Sequence, residues 1–121
     1  MRYDHEHQGE LTVVRVREDK ITSHEAADVK TAFLQIITES QRILLLNLAD
    51  VQYMDSTGLG SFLFGLRQAD ANEKEMVFCG LTERVQSLIH IAHLDTILEI
   101  YETEAEAVHE IMDDLAEEKA Q

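Results

Sequence analysis

Apolar positions along this chain follow two alternating rhythms, one with a period near two residues and one near four. Leu11-Thr12-Val13-Val14-Arg15-Val16 is β-branched and partly alternating, which predicts a strand. Tyr3 to Gln8 predicts a weaker, polar edge strand that pairs with it across Gly9. Thr22-Ser23-His24-Glu25 has the form of a capping box, with Thr22 as N-cap and Glu25 reaching back. A helix is expected to follow, and Ala26, Val29, Phe33, Ile36 and Ile37 recur at the spacing of a buried stripe. Arg42 to Leu48 is close to a continuous aliphatic run, the pattern of a central strand buried on both faces of a parallel sheet.

The next helix is predicted to start near Ser56. Leu59, Phe62, Leu63 and Leu66 fall on one face of it, and Ser61, Phe64 and Gln68 on the opposite, outer face. Glu75 to Cys79 predicts a short strand closed by Gly80. Thr82 can cap a helix with apolar positions Val85, Leu88, Ile89 and Ala92. Thr96 to Tyr101 reads as the last strand. Thr103-Glu104-Ala105-Glu106 forms a second capping box, and the final helix should turn Ala105, Val108, Ile111, Met112 and Leu115 inward. Strands alternate with helices across short connections. That order predicts one α/β domain over residues 1–121, with a mostly parallel sheet and right-handed crossovers.

Charge narrows the possible partners. The formal net charge is −14, from 24 acidic against 10 basic residues. Nucleic acid and anionic membrane would be repelled, whereas a protein with a basic surface would be attracted. Much of the acidity lies between Glu102 and Glu118, as on a solvated helix face. No apolar run approaches the ~20 residues of a membrane span, and the N-terminus lacks the apolar centre of a signal peptide. The single cysteine, Cys79, cannot form an internal disulfide, so a cytoplasmic location is expected.

Several candidate chemistries fall away. His90 and His93 share a helix but have no third ligand in the sequence pattern, so they read as surface histidines. His5 and His7 read as solvated, and Cys79 as a small buried hydrophobe. No glycine-rich nucleotide loop and no convincing nucleophile–base–acid set occurs. The expectation is a protein with no cofactor, no metal and no catalytic residues.

What remains is Tyr53-Met54-Asp55-Ser56-Thr57-Gly58-Leu59-Gly60, where a strand hands over to a helix N-terminus. Unpaired N–H groups and a partial positive charge collect at such an end. Asp55 is either the N-cap, in an orienting role, or a direct participant in phosphate transfer. Thr57 is either a second cap or a secondary phosphosite. Gly58 and Gly60 leave the helix start bare for close approach. Phe64 is either an exposed docking anchor or packed against a loop, with Ser61 and Gln68 flanking it.

Leu46-Asn47-Leu48, Val51 and the run from Tyr53 to Gly60 resemble the signature of STAS domains, above all the stand-alone bacterial anti-sigma factor antagonists. The likeness continues through Cys79-Gly80-Leu81, Arg84-Val85, Leu94 and Ile97. It implies a partner switch. The unphosphorylated antagonist binds an anti-sigma factor that is also a serine kinase, and the sigma factor is released. The kinase phosphorylates the serine after the aspartate, here Ser56, which ends the interaction, and a serine phosphatase reverses it. The implied partner surface comprises Asp55, Ser56, Thr57, Gly58 and Gly60, then Ser61, Phe64 and Gln68, with Lys20, Thr22 and His24 from a neighbouring loop. Family members often carry Gly-Glu-x-Asp in that loop, whereas this chain has Arg17-Glu18-Asp19-Lys20-Ile21-Thr22. Other STAS domains imply the alternative of an unphosphorylated scaffold, or a small-ligand or lipid-associated module in a larger assembly.

Overall fold

A computed structural model describes residues 1–120. The elements run β1 (Tyr3–Gln8), β2 (Leu11–Val16), β3 (Lys20–Ile21), α1 (Ala26–Glu39), β4 (Ile43–Asn47), β5 (Tyr53–Met54), α2 (Ser56–Ala71), β6 (Glu75–Cys79), α3 (Glu83–Ile91), β7 (Ile100–Tyr101) and α4 (Glu104–Ala120). Five strands form one sheet in the order β1-β2-β4-β6-β7. Only β1 is antiparallel, joined to β2 through Gly9 in a left-handed conformation (φ 59°). The pairings β2–β4, β4–β6 and β6–β7 are parallel. Central β4 is therefore covered on both faces, and Ile43, Leu44, Leu45 and Leu46 are all buried, as an unbroken aliphatic run requires.

Alternation along β2 and β4 sends neighbouring side chains to opposite faces and so creates two cores. On one face Val14, Leu44 and Leu46 meet Phe33, Phe62 and Val85 from the helices. On the other, Leu11, Val13, Leu45 and Val77 meet Ala107, Ile111 and Leu115 of α4.

Several element boundaries differ from the sequence expectation. Helix α1 starts at Ala26, after a turn over residues 22–25, because only half of the capping box closes. The Glu25 carboxylate accepts from the Thr22 N–H at 2.9 Å, but the Thr22 hydroxyl accepts from the His24 N–H at 3.2 Å instead of capping the helix. The last strand shrinks to Ile100–Tyr101. Residues before it fold into a turn in which the Ile97 and Leu98 N–H groups both donate to the Leu94 carbonyl, leaving Ile97 65% exposed.

The inward face of α4 is rotated from the expected one. Ala107, Ile111 and Leu115 are buried, whereas Ala105 and Met112 are exposed. Glu104 lies on this buried side, one turn before Ala107, and accepts from Arg15 Nε at 2.9 Å and Nη2 at 2.8 Å, and from Asn47 Nδ2 at 3.0 Å. These bonds, the Arg15 one foremost, hold the Glu104 carboxyl below the usual carboxylate range and push the Arg15 guanidinium higher still. On α3, Thr82 caps as expected, but Ala92 lies past the helix end and is exposed.

Candidate functional site

The tightest local construction lies at the start of α2. Asp55 is its N-cap: the backbone is extended there, and Oδ1 accepts from the Gly58 N–H at 2.7 Å. The Asp55 carbonyl takes the Leu59 N–H at 2.9 Å, closing the first helical turn. Ser56 and Thr57 follow as the first helical residues, and both are exposed. Their hydroxyls stand at the positive end of a helix of 16 residues, a position where an added anion is tolerated by the fold.

A second, small sheet fixes this helix start to the loop before α1. The two-residue strands β3 and β5 pair in parallel, with Lys20 opposite Tyr53 and Ile21 opposite Met54. The Asp19 carbonyl accepts from the Gln52 and Tyr53 N–H groups at 2.8 and 3.1 Å, and the Ile21 carbonyl from the Asp55 N–H at 3.3 Å. Asp55 then reaches across with its other oxygen: Oδ2 accepts from the Ser23 N–H at 3.1 Å. One carboxylate thus joins the hydroxyl motif to the segment from Lys20 to His24. Sequence patterning did not reveal this pair, because strands of two residues carry no detectable period.

The glycines have different roles. A Cβ built on Gly58 would lie 2.0 Å from the Ile21 carbonyl oxygen, so α2 seats on β3 only because this position has no side chain. Gly58 is buried by that contact, contrary to the expectation that it lies bare for a partner. A Cβ on Gly60 would meet nothing within 4 Å, and the backbone there remains open.

The expected outer face of α2 is also corrected. Ser61 is fully buried, and its hydroxyl donates to the Gly58 carbonyl. Solvent does not reach this side because α1 packs across it. Gly58, Ser61, Gly65 and Ala69 form a buried stripe of small residues, and the Phe33 ring of α1 lies 2.9 Å from where a Gly65 Cβ would be. Phe33 and Phe62 meet edge to face with centroids 5.3 Å apart. Phe64 is half-buried, with Lys30 Nζ of α1 5.7 Å from its ring centroid, so it belongs to the helix–helix junction rather than projecting freely. Gln68 is half-buried as well.

Lys20 and His24 are exposed and Thr22 is half-buried. Beside them Tyr53 is 41% exposed, and the Arg84 guanidinium sits 5.9 Å from its ring centroid. This cation–aromatic pair was not anticipated as part of the site. Its signal was the Tyr-Met before Asp55, which only the β3–β5 pairing places next to Lys20.

Other candidates behave as background. Cys79 is buried, and burial pushes its thiol up to about 12, which suppresses thiolate chemistry. Among the described residues no group of three or more His, Cys, Asp or Glu could hold a metal. No described helix is long and apolar enough to cross a membrane. The apolar space behind the motif, lined by Leu48, Met54, Leu59 and Phe78 among others, measures about 10 Å³, too small for a lipid chain.

Residues 2–107 match the STAS domain family. An anti-sigma-B factor antagonist of Staphylococcus aureus is 36% identical over 89 residues, covering 73% of this chain and 80% of its own. One from Listeria monocytogenes is 34% identical over 87 residues, covering 72% of this chain and 76% of its own. Among solved structures, the anti-sigma factor antagonist SpoIIAA in its unphosphorylated form superposes with a TM-score of 0.72 at 18% identity, over 93% of this chain and 97% of that one. The phosphorylated form of SpoIIAA, from Bacillus, superposes at 0.66 over 91% of this chain and 99% of that one, again at 18% identity. The chain belongs to the STAS domain family, among its anti-sigma factor antagonists.

Proposed function

We propose that this protein is a cytoplasmic, non-enzymatic regulator that acts by partner switching: unphosphorylated, it binds a serine-kinase anti-sigma factor, and phosphorylation of Ser56 ends the complex until a serine phosphatase restores it. The observation that carries this reading is the placement of Ser56, exposed on the first residue of α2 directly after an aspartate that caps the same helix. Residues 1–121 act as one domain in this reading. The surface comprises Asp55, Ser56, Thr57 and Gly60 with Lys20, Thr22 and His24, bordered by Phe64 and Gln68. Thr57 is the secondary phosphosite.

The energetics favour a switch that spares the fold. A phosphoserine adds about −1.5 to −2 charges. At an exposed helix N-terminus each charge is favourable by roughly 0.3–1 kcal/mol, so the domain should keep its stability. In an interface the same anion is desolvated without a matched partner, at a cost of several kcal/mol. About 4 kcal/mol corresponds to a thousandfold loss of affinity. Repulsion of a partner by the free protein's own charge is limited if the partner presents a basic surface to a chain of net charge −14.

The test is a binding titration with each purified anti-sigma factor kinase of the host. Ser56→Ala should bind like wild type and take up no phosphate, and Ser56→Asp should lose about three orders of magnitude in affinity. Equal binding by wild type and Ser56→Asp would sink the reading. An unmodified Ser56 after incubation with those kinases and ATP, measured by intact mass, would instead favour the scaffold alternative.

A further inference from the structure

We infer that Asp55 is a positioning residue for the partner surface, acting through the segment before α1, and that it does not take part in phosphate transfer. The inference rests on the partner-switching reading and adds a role to it. Each carboxylate oxygen of Asp55 accepts from a backbone N–H of a different segment. Oδ1 accepts from the Gly58 N–H at 2.7 Å and Oδ2 from the Ser23 N–H at 3.1 Å. Both bonds run to backbone donors, so the carboxylate is oriented toward Gly58 and Ser23, and among the described residues no hydrogen bond joins it to the neighbouring Ser56 hydroxyl. It is, however, well placed as a tie between two segments that lie 32 positions apart in the chain.

The segment it ties is otherwise loosely made. Between Ile21, fixed in β3, and Ala26, the first residue of α1, lie Thr22 to Glu25, and Ser23 and His24 are exposed. The hydrogen bonds inside this turn are local: Thr22 with Glu25 and His24 with Thr22. The bond from the Ser23 N–H to Asp55 is the one that fixes the turn against α2. Without it, Thr22 to His24, the part of the surface beyond the β3–β5 pairing, would have to be ordered at the moment of binding, and that ordering weakens association. With it, the hydroxyl motif and the turn present one preformed surface.

The geometry provides a variant that separates the tie from the cap. Asn is as good an N-cap as Asp, so Asp55→Asn keeps an oxygen for the Gly58 N–H. Its amide nitrogen then faces the Ser23 N–H, donor against donor, and the tie is lost. Asp55→Ala loses both.

The first measurement uses the free protein. Hydrogen exchange at the Ser23 amide should quicken by about tenfold or more in Asp55→Asn, while its melting temperature and the exchange of α2 amides stay near wild type. In Asp55→Ala the melting temperature should fall and the α2 amides should exchange faster. The second measurement follows phosphorylation of Ser56 by the host's anti-sigma factor kinases. Asp55→Asn should raise KM by about tenfold and leave kcat unchanged, the mark of lost docking rather than lost chemistry. An unchanged Ser23 exchange rate in Asp55→Asn overturns the tie. A fall in kcat at unchanged KM overturns the positioning role in favour of a direct one. If no kinase binds or modifies even the wild-type chain, the partner-switching reading fails, and the exchange result still decides whether Asp55 ties the turn.

Discussion

The two faces of the sheet are closed by different means. On the motif face, α1 and α2 pack on the sheet and on each other through backbone-level fit. Small residues on α2 admit the Phe33 ring, Gly58 abuts the Ile21 carbonyl, and Asp55 binds amides from two segments. On the opposite face a single helix, α4, lies over a smaller apolar cluster. Its N-terminal end is pinned by charged side chains, with Arg15 joined to Glu104, Asp4 and Glu6 at the surface. The face proposed to meet a partner is built from contacts that allow little adjustment. The far face relies on burial and screened charge, which tolerate substitution.

The largest expected effect tests this contrast in the two cores. Phe33→Ala should destabilise by about 3–5 kcal/mol, because it removes a fully buried ring wedged against Gly65 and Phe62. Leu115→Ala, on α4, should cost about 2–3 kcal/mol, since its site opens onto a surface groove and can relax. Urea unfolding of both variants checks the order, and a larger loss from Leu115→Ala would break the comparison.

Next in size is a pair of glycine substitutions two residues apart on α2. Gly58→Ala forces a methyl group onto the Ile21 carbonyl and should cost about 3 kcal/mol, with β3 and β5 separating. Gly60→Ala meets open space and should stabilise α2 by about 0.5–1 kcal/mol. Thermal melts of the two proteins should therefore move in opposite directions.

The smallest effect is a pH dependence confined to the α4 face. The Glu104 carboxyl is depressed in the folded state, first by Arg15 and then by Asn47. Its contribution is complete above the unfolded value of about 4.3 and is lost as pH falls through the lower folded value. Stability measured by urea titration between about pH 6 and pH 3 should fall less steeply in Glu104→Gln than in wild type. A parallel slope in the two proteins would show that the ion pair does not set the acid response of α4.

Much of the fold was legible because burial and period coincide. The aliphatic run of β4, the stripe of α1 and the cap at Thr82 each follow from local chemistry, and each appears where the pattern places it. The site was legible in part. Ser56 at a helix start and Asp55 as N-cap follow from residue types in order. Ser61 and Phe64 misled because a single helix viewed alone has an apolar face and a remainder, and the remainder was assigned to solvent. A second helix covers it, and small residues, which read as neutral in a pattern, are what admit that helix. Ile97 misled for the opposite reason: an apolar β-branched residue entered a turn whose carbonyl at Leu94 offered two hydrogen bonds.

By itself, the sequence determined the four helices and the strands of the main sheet in outline, that this sheet is mainly parallel, and that a serine stands at a helix N-terminus beside a capping aspartate. These are properties of neighbours in the chain. Only the tertiary structure decided that Gly58 is a contact point rather than an opening and that Ser61 is buried. It alone brought Tyr53 beside Lys20 and gave Asp55 a second partner at Ser23. Those facts depend on which distant backbone atoms arrive at the same place, and strand pairing and helix packing settle that, not the spacing of residue types.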